Sequence, residues 1–144
     1  MIIGAIVYFS RQPFAQQDLS PLIRSNQQII TFVKEQPQVK FYYHHRLIDS
    51  HADTVAFIQF IIRKTVHFLL YGALGISLLI ALTQERPTFR NWLWAGIFVL
   101  LIAGGDELNQ LQMQQRTGCI PDVILDGSGF VIISLPYMMI RSRR

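Results

Sequence analysis

Three stretches of this chain contain no Asp, Glu, Lys or Arg: Thr65–Thr83, Asn91–Gly105 and Gly127–Ile140. A bilayer core of roughly 30 Å takes about 20 mostly apolar helical residues to cross. The first stretch nearly meets that alone. The other two reach it only by running into flanks that carry Asp106, Glu107, Asp122 and Asp126. The alternative is a soluble bundle whose central helices are apolar all round. Three such helices in 144 residues leave too little polar helix to cover them. Charged residues make up 15% of the chain, against about 25% in soluble domains. The sequence therefore predicts an all-α, polytopic membrane bundle of about four transmembrane segments, in one domain over residues 1–144.

Met1–Phe9 is apolar but too short to span, and it has no basic lead-in of the signal-peptide kind. We read it as the end of a first span. Residues 10–53 then form an extended polar loop. Within it, Ser20-Pro21 suits the N-cap and first position of a surface helix whose apolar residues are Leu22, Ile23, Ile29, Ile30 and Val33. Phe41-Tyr42-Tyr43, beside His44, His45 and Arg46, suits an interfacial belt. His44, His45 and His51 make a conceivable zinc set, but adjacent histidines rarely converge, and no metal site is expected. Ser50-His51-Ala52-Asp53 resembles a capping box and should open a long helix, spanning over 54–83. Two further spans follow at 91–113 and 121–140, joined by the Arg116-Thr117-Gly118 turn. Cys119 is the sole cysteine, so neither an intrachain disulfide nor a cysteine-based zinc site can form.

The positive-inside rule is most reliable for short loops. Arg86 and Arg90 lie in the 84–90 connection, and Arg141, Arg143 and Arg144 follow the last span. Two spans separate these places, so both fall on one side, the cytoplasmic one. The 10–53 loop and the 114–121 turn then face outward across the cell membrane.

Polar residues gather at that outward end with helical spacing. Lys64, His67 and Tyr71 fall at i, i+3 and i+7, one face of a helix, and Arg63 is their neighbour. Asp106, Glu107 and Gln110 occupy the last turns of the next span. Asp122, Asp126 and Gly129 again share a face, and Arg116 lies in the turn between. An ionisable group near a membrane-helix centre costs about 2.5–3.5 kcal/mol on insertion scales, so such groups usually face a bundle interior or water. On this reading Lys64, His67 and Arg116 donate to Asp106, Glu107, Asp122 and Asp126. The alternative leaves them at headgroup level, the cations snorkelling and the acids solvated.

In this order, Arg63-Lys64-Thr65-Val66-His67-Phe68-Leu69-Leu70-Tyr71, Asp106-Glu107-Leu108-Asn109-Gln110, Arg116-Thr117-Gly118 and Asp122-Val123 resemble the VanZ-like membrane proteins. Phe9-Ser10-Arg11-Gln12-Pro13 looks like the end of that family's first span. The resemblance covers most of the chain, except about Leu22 to Asp53. Three positions depart from it. Leu70 stands where many relatives carry an acid, Asp126 often corresponds to an asparagine, and Ile132-Ile133 replace small residues. The resemblance implies an association with low-level resistance to teicoplanin and a role at the outer leaflet or cell wall.

Three functions compete. The first is a binding protein for the phosphate of an envelope lipid or lipid-linked cell-wall precursor. There Tyr71, Asp106, Gln110, Arg116 and Asp122 contact the ligand, and Arg supplies a bidentate fork. The second is an integral-membrane enzyme on a lipid-linked phosphate substrate, with Lys64, His67, Glu107 and Asp126 as the catalytic candidates. Glu107, Asp122 and Asp126 would then suit Mg²⁺; no other cofactor is indicated, and no P-loop or HExxH run occurs. The third is a small transporter, whose continuous path would need a homodimer. Glycines along the spans suit close packing within or between chains. A net charge of +4 spread over membrane flanks forms no basic stripe, so nucleic acid is not an expected partner.

Overall fold

The computed structural model describes Gly4 and residues 18–44, 46–111 and 120–142. Among them are five helices and one hairpin: α1 (Ser20–Ser25), α2 (Gln27–Glu35), β1 (Lys40–Tyr43), β2 (Arg46–Asp49), α3 (Thr54–Leu82), α4 (Phe89–Leu111) and α5 (Ile120–Ser142). The described residues divide into two compact units, one within Pro13–Thr65 and one within Val66–Arg144. Helix α3 contributes its start to the first and the rest to the second. Two stretches are long and apolar enough to cross a membrane, Thr54–Leu82 and Ile120–Arg141. Helix α4 has a similar length, but Arg90 and Asn91 at one end and Asp106 and Glu107 at the other lower its average apolarity. The expected first span lies outside the described residues.

The Pro13–Thr65 unit is more structured than a polar loop with one helix. Pro21 sits in the first turn of α1, as expected, but Leu19 occupies the cap position and Ser20 is already helical. The Ser20 hydroxyl donates instead to Gln59 Oε1 at 3.0 Å. Asn26, at φ −103° and ψ 83°, breaks the surface helix in two, and its side chain accepts from the Ile29 amide to start α2. The all-helical expectation fails at β1 and β2, which pair antiparallel from Lys40↔Asp49 to Tyr43↔Arg46. That register leaves a two-residue turn, which demands left-handed backbone; His44 takes φ 44° there. The aromatic run supplied the signal, since Phe, Tyr and Val favour a pleated surface.

Asp49 fastens the hairpin to the helix that follows. Its carboxylate accepts from Gln38 Nε2 at 3.0 Å and from the amides of His51 and Ala52 at 2.9 and 3.0 Å. Lys40 Nζ stands 3.7 Å away. These donors, Gln38 first, hold its carboxyl down at about 2. Ser50 is not the helix cap that the sequence suggests. Its hydroxyl accepts from the Val39 amide, while Asp53 caps α3 by accepting from the Ala56 amide at 3.0 Å. Ile23, Val55 and Ile58 form the unit's core, with Leu19, Ile30, Val33 and Phe57 packed on it.

In the Val66–Arg144 unit, Asn91 ties α4 to the end of α3 by donating to the Leu82 carbonyl at 2.8 Å. Thr88 caps α4 by accepting from the Asn91 amide. Ala95, Val99 and Ala103 recur every four residues on α4 and are fully buried, so this small-residue stripe is its inner face. Phe130 of α5 is the central wedge. A Cβ on Gly75 or Gly96 would run into its ring, and Trp92 stacks on it with centroids 5.1 Å apart. Inside a bilayer such fits hold helices together by packing rather than by the hydrophobic effect. Ile133, which departs from the small residue of the resembled family, lies against Gly72, where a Cβ would collide with it. The bulk on α5 is matched by its absence on α3.

Candidate functional site

One end of the helical unit gathers its polar side chains. His67 and Tyr71 lie one turn apart on α3, and Asp122 and Asp126 one turn apart on α5. Asp106, Glu107 and Gln110 occupy the last turns of α4. Gly129 brings the two outer helices together. A Cβ there would meet the Phe68 carbonyl oxygen and lie 3.0 Å from its carbon, so α5 rests directly on α3 backbone. This contact sets Asp126, one turn earlier on α5, opposite His67.

Asp126 is completely buried, and His67 Nδ1 stands 3.5 Å from its Oδ1. That is an ion-pair distance, longer than the ~2.9 Å usual for an N–H···O hydrogen bond. Neither Asp126 carboxylate oxygen has a hydrogen-bond donor among the described residues, nor does the Tyr71 hydroxyl, whose side chain is 1% exposed. Tyr71 stacks beside His67 with ring centroids 6.2 Å apart. Asp106, Asp126 and Glu107 all act electrostatically on Tyr71, and Asp122 and Asp106 act on Asp126, so the four acids share one neighbourhood. Gln110 Nε2 donates to Asp106 Oδ2 at 2.9 Å.

The structure thus brings together His67, Tyr71, Asp106, Glu107, Gln110, Asp122 and Asp126. Asp106 and Asp122, for which solvation at headgroup level was the alternative, are each 8% exposed and lie in the protein interior. Lys64 belongs to the Pro13–Thr65 unit, with Nζ 4.6 Å from the Tyr43 ring centroid and 5.4 Å from that of Phe60. Arg116 and Cys119 lie outside the described residues. His51 Nε2 is 3.1 Å from the Gln36 carbonyl oxygen, His44 sits in the hairpin turn, and His45 is outside the described residues. Among the described residues no three His, Cys, Asp or Glu side chains are placed to hold a metal ion.

Two structural residues escaped the sequence reading. Ser134, fully buried, accepts from the Trp92 indole N–H at 2.9 Å. Phe130 supports Tyr71 from within the same core. The signal for Phe130 was present in Gly75 and Gly96, glycines inside apolar helices that imply a large neighbour. The partner of each glycine depends on packing that spacing alone does not fix.

Buried acids at the end of apolar, membrane-length helices, among them Asp126 with no donor at hydrogen-bond distance among the described residues, define a helical membrane-type protein with an internal polar site. A family model described as VanZ/LLP1 matches residues 1–141, and the chain belongs to that family. Curated proteins and solved structures gave no match.

Proposed function

We propose that this chain is a multi-pass cell-membrane protein whose outward-facing polar site binds the headgroup of a phosphate-bearing envelope lipid or lipid-linked wall precursor. That role would link it to teicoplanin resistance, with which family membership is consistent. One observation carries the reading: Asp126 is buried at 0% exposure, and the nearest donor facing its two acceptor oxygens, His67 Nδ1, stands 3.5 Å away, too far for a good hydrogen bond. A buried carboxylate left without donors is costly, so the site suits a ligand that brings donors. Headgroup hydroxyls or amines meet Asp126 and its neighbouring acids, while Arg116, six residues before Asp122 in the sequence, takes the phosphate through its bidentate fork.

A second reading follows from the pairing of His67 with Asp126. An aspartate facing Nδ1 orients a histidine and leaves Nε2 for a substrate proton, and the His67 side chain is 30% exposed while Asp126 is closed off. That is the layout of a general base in an enzyme acting on a lipid-linked phosphate.

Native mass spectrometry of the protein extracted with its membrane lipids tests both readings. Wild type should retain a phosphate-bearing lipid. Asp126→Asn and Arg116→Ala should each lose about 10- to 100-fold of that occupancy, the effect of removing a charged hydrogen bond. Unchanged lipid content in both variants would sink the binding reading. Turnover of a polyprenyl phosphate by wild type, lost in His67→Ala, would move the assignment to the enzyme.

A further inference from the structure

A slot of about 380 Å³ runs between α4 and α5, with Trp92, Leu93, Ile97 and Leu100 on one wall and Ile124 and Val131 on the other. This volume falls within the ~300–1,000 Å³ of small-molecule sites. No hydrogen-bonding side chain enters it apart from the indole of Trp92, and that N–H is already bound to Ser134. Gly96 and Gly127 also line it, and their missing side chains let Phe130 and Leu100 approach closely. A Cβ on Gly127 would come within 3.1 Å of Leu100 Cδ2, and one on Gly96 within 2.8 Å of the Phe130 ring.

We infer that this slot holds one hydrocarbon chain of the amphiphile whose headgroup occupies the Asp126 site. The inference rests on the proposed headgroup binding and extends it to the other half of the ligand. Three observations select hydrocarbon as the occupant. One wall is α5, which is long and apolar enough to cross a membrane. Leu93, Ile97, Leu100, Ile124 and Val131 all present exposed carbon. The slot also ends level with the polar cluster: Val123 and Gly127 line it, and each directly follows an acid of the site, Asp122 and Asp126. With a turn rising 5.4 Å, a chain starting at Val123 and reaching Val131 runs along about two turns of α5. Asp122 and Asp126 thus each adjoin a residue that lines the slot.

The test uses the full chain in nanodiscs of phosphatidylglycerol doped with a phosphatidic acid bearing a diazirine in its acyl chain. After photolysis, labelled residues are mapped by mass spectrometry. Labelling should concentrate on Leu93, Ile97, Leu100, Ile124 and Val131. It should fall roughly tenfold in Gly127→Leu, which displaces about two methylenes' worth of burial. Ile97→Phe, which fills the slot from the other wall without touching a glycine, should act the same way and guards against misfolding of the first variant.

Labelling spread over Leu69, Ile80, Leu101 and Leu108 in proportion to their exposure would mean ordinary surrounding lipid, and would overturn the inference. Crosslinks joining two copies through the slot would overturn it too, in favour of a dimer contact. The two layers separate cleanly. Slot labelling that persists in Asp126→Asn and ignores excess short-chain phosphatidic acid would refute the headgroup reading and leave the chain site standing. Headgroup-dependent retention unaffected by Gly127→Leu and Ile97→Phe would do the reverse.

Discussion

Replacing Gly129 by alanine adds a single methyl group at the tightest backbone contact near the site. That methyl would lie 3.0 Å from the Phe68 carbonyl carbon, 3.1 Å from its Cα and closer still to its oxygen. Ordinary carbon contacts are about 3.5–4.0 Å. The obstacle is helix backbone, which cannot rotate aside as a side chain can, so α3 and α5 must part by a few tenths of an ångström or more. Overpacking of this kind costs about 1–3 kcal/mol. Removing a helical glycine returns only about 0.5–1 kcal/mol, so the net effect is destabilising. The separation also lengthens the 3.5 Å approach of His67 to Asp126. Gly104→Ala is the matched control, because nothing lies within 4 Å of a Cβ built there. It should be neutral or stabilising. Equilibrium unfolding in mixed micelles, followed by the fluorescence of Trp92 and Trp94, reads both variants. Equal stability of Gly129→Ala and Gly104→Ala would refute the claim that α5 rests on α3 backbone at this point.

Other outcomes follow from the same packing. Ser134→Ala leaves the Trp92 indole N–H without its acceptor and should cost about 1–3 kcal/mol in the same unfolding assay, with a shift in tryptophan emission. Asp49 gives the Pro13–Thr65 unit an acid limit. Its folded carboxyl lies at about 2, below the ordinary value near ~3.9, so its stabilisation is complete above that value and fades as pH falls toward 2. Hydrogen exchange at the His51 and Ala52 amides should quicken over that window in wild type, and Asp49→Asn should lose this acid dependence.

The long helices were legible because their constraint is local. A run without charge, closed by Pro87 or Arg141, must be helix if it crosses a membrane, and helical spacing then puts His67 with Tyr71 and Asp122 with Asp126. Convergence of these pairs was legible for a different reason: buried charge has few places to go, so acids at the ends of two apolar helices face a shared interior. Spacing failed where a residue's role depended on a distant partner. Lys64 continues the His67–Tyr71 face in sequence, and spacing gave no hint that Tyr43 and Phe60 also offer its ammonium two aromatic faces. The hairpin itself was hidden because its strands are only four residues long and its turn contains no glycine. Ser50 had the composition of a cap, but Val39 claims its hydroxyl and Asp53 takes the position. The slot between α4 and α5 left no pattern in the sequence, since glycine lining a cavity and glycine admitting a neighbour look alike.

The orientation of the polar site is most directly tested at Cys119, the sole cysteine, three residues before Asp122 in the sequence. Intact cells are treated with a membrane-impermeant maleimide, and permeabilised cells show whether the thiol can react at all. Labelling in intact cells is the predicted result, and it places the Asp122–Asp126 end on the outer face, within reach of an envelope lipid or wall precursor. Labelling only after permeabilisation would put that end in the cytoplasm and contradict an outward-facing site.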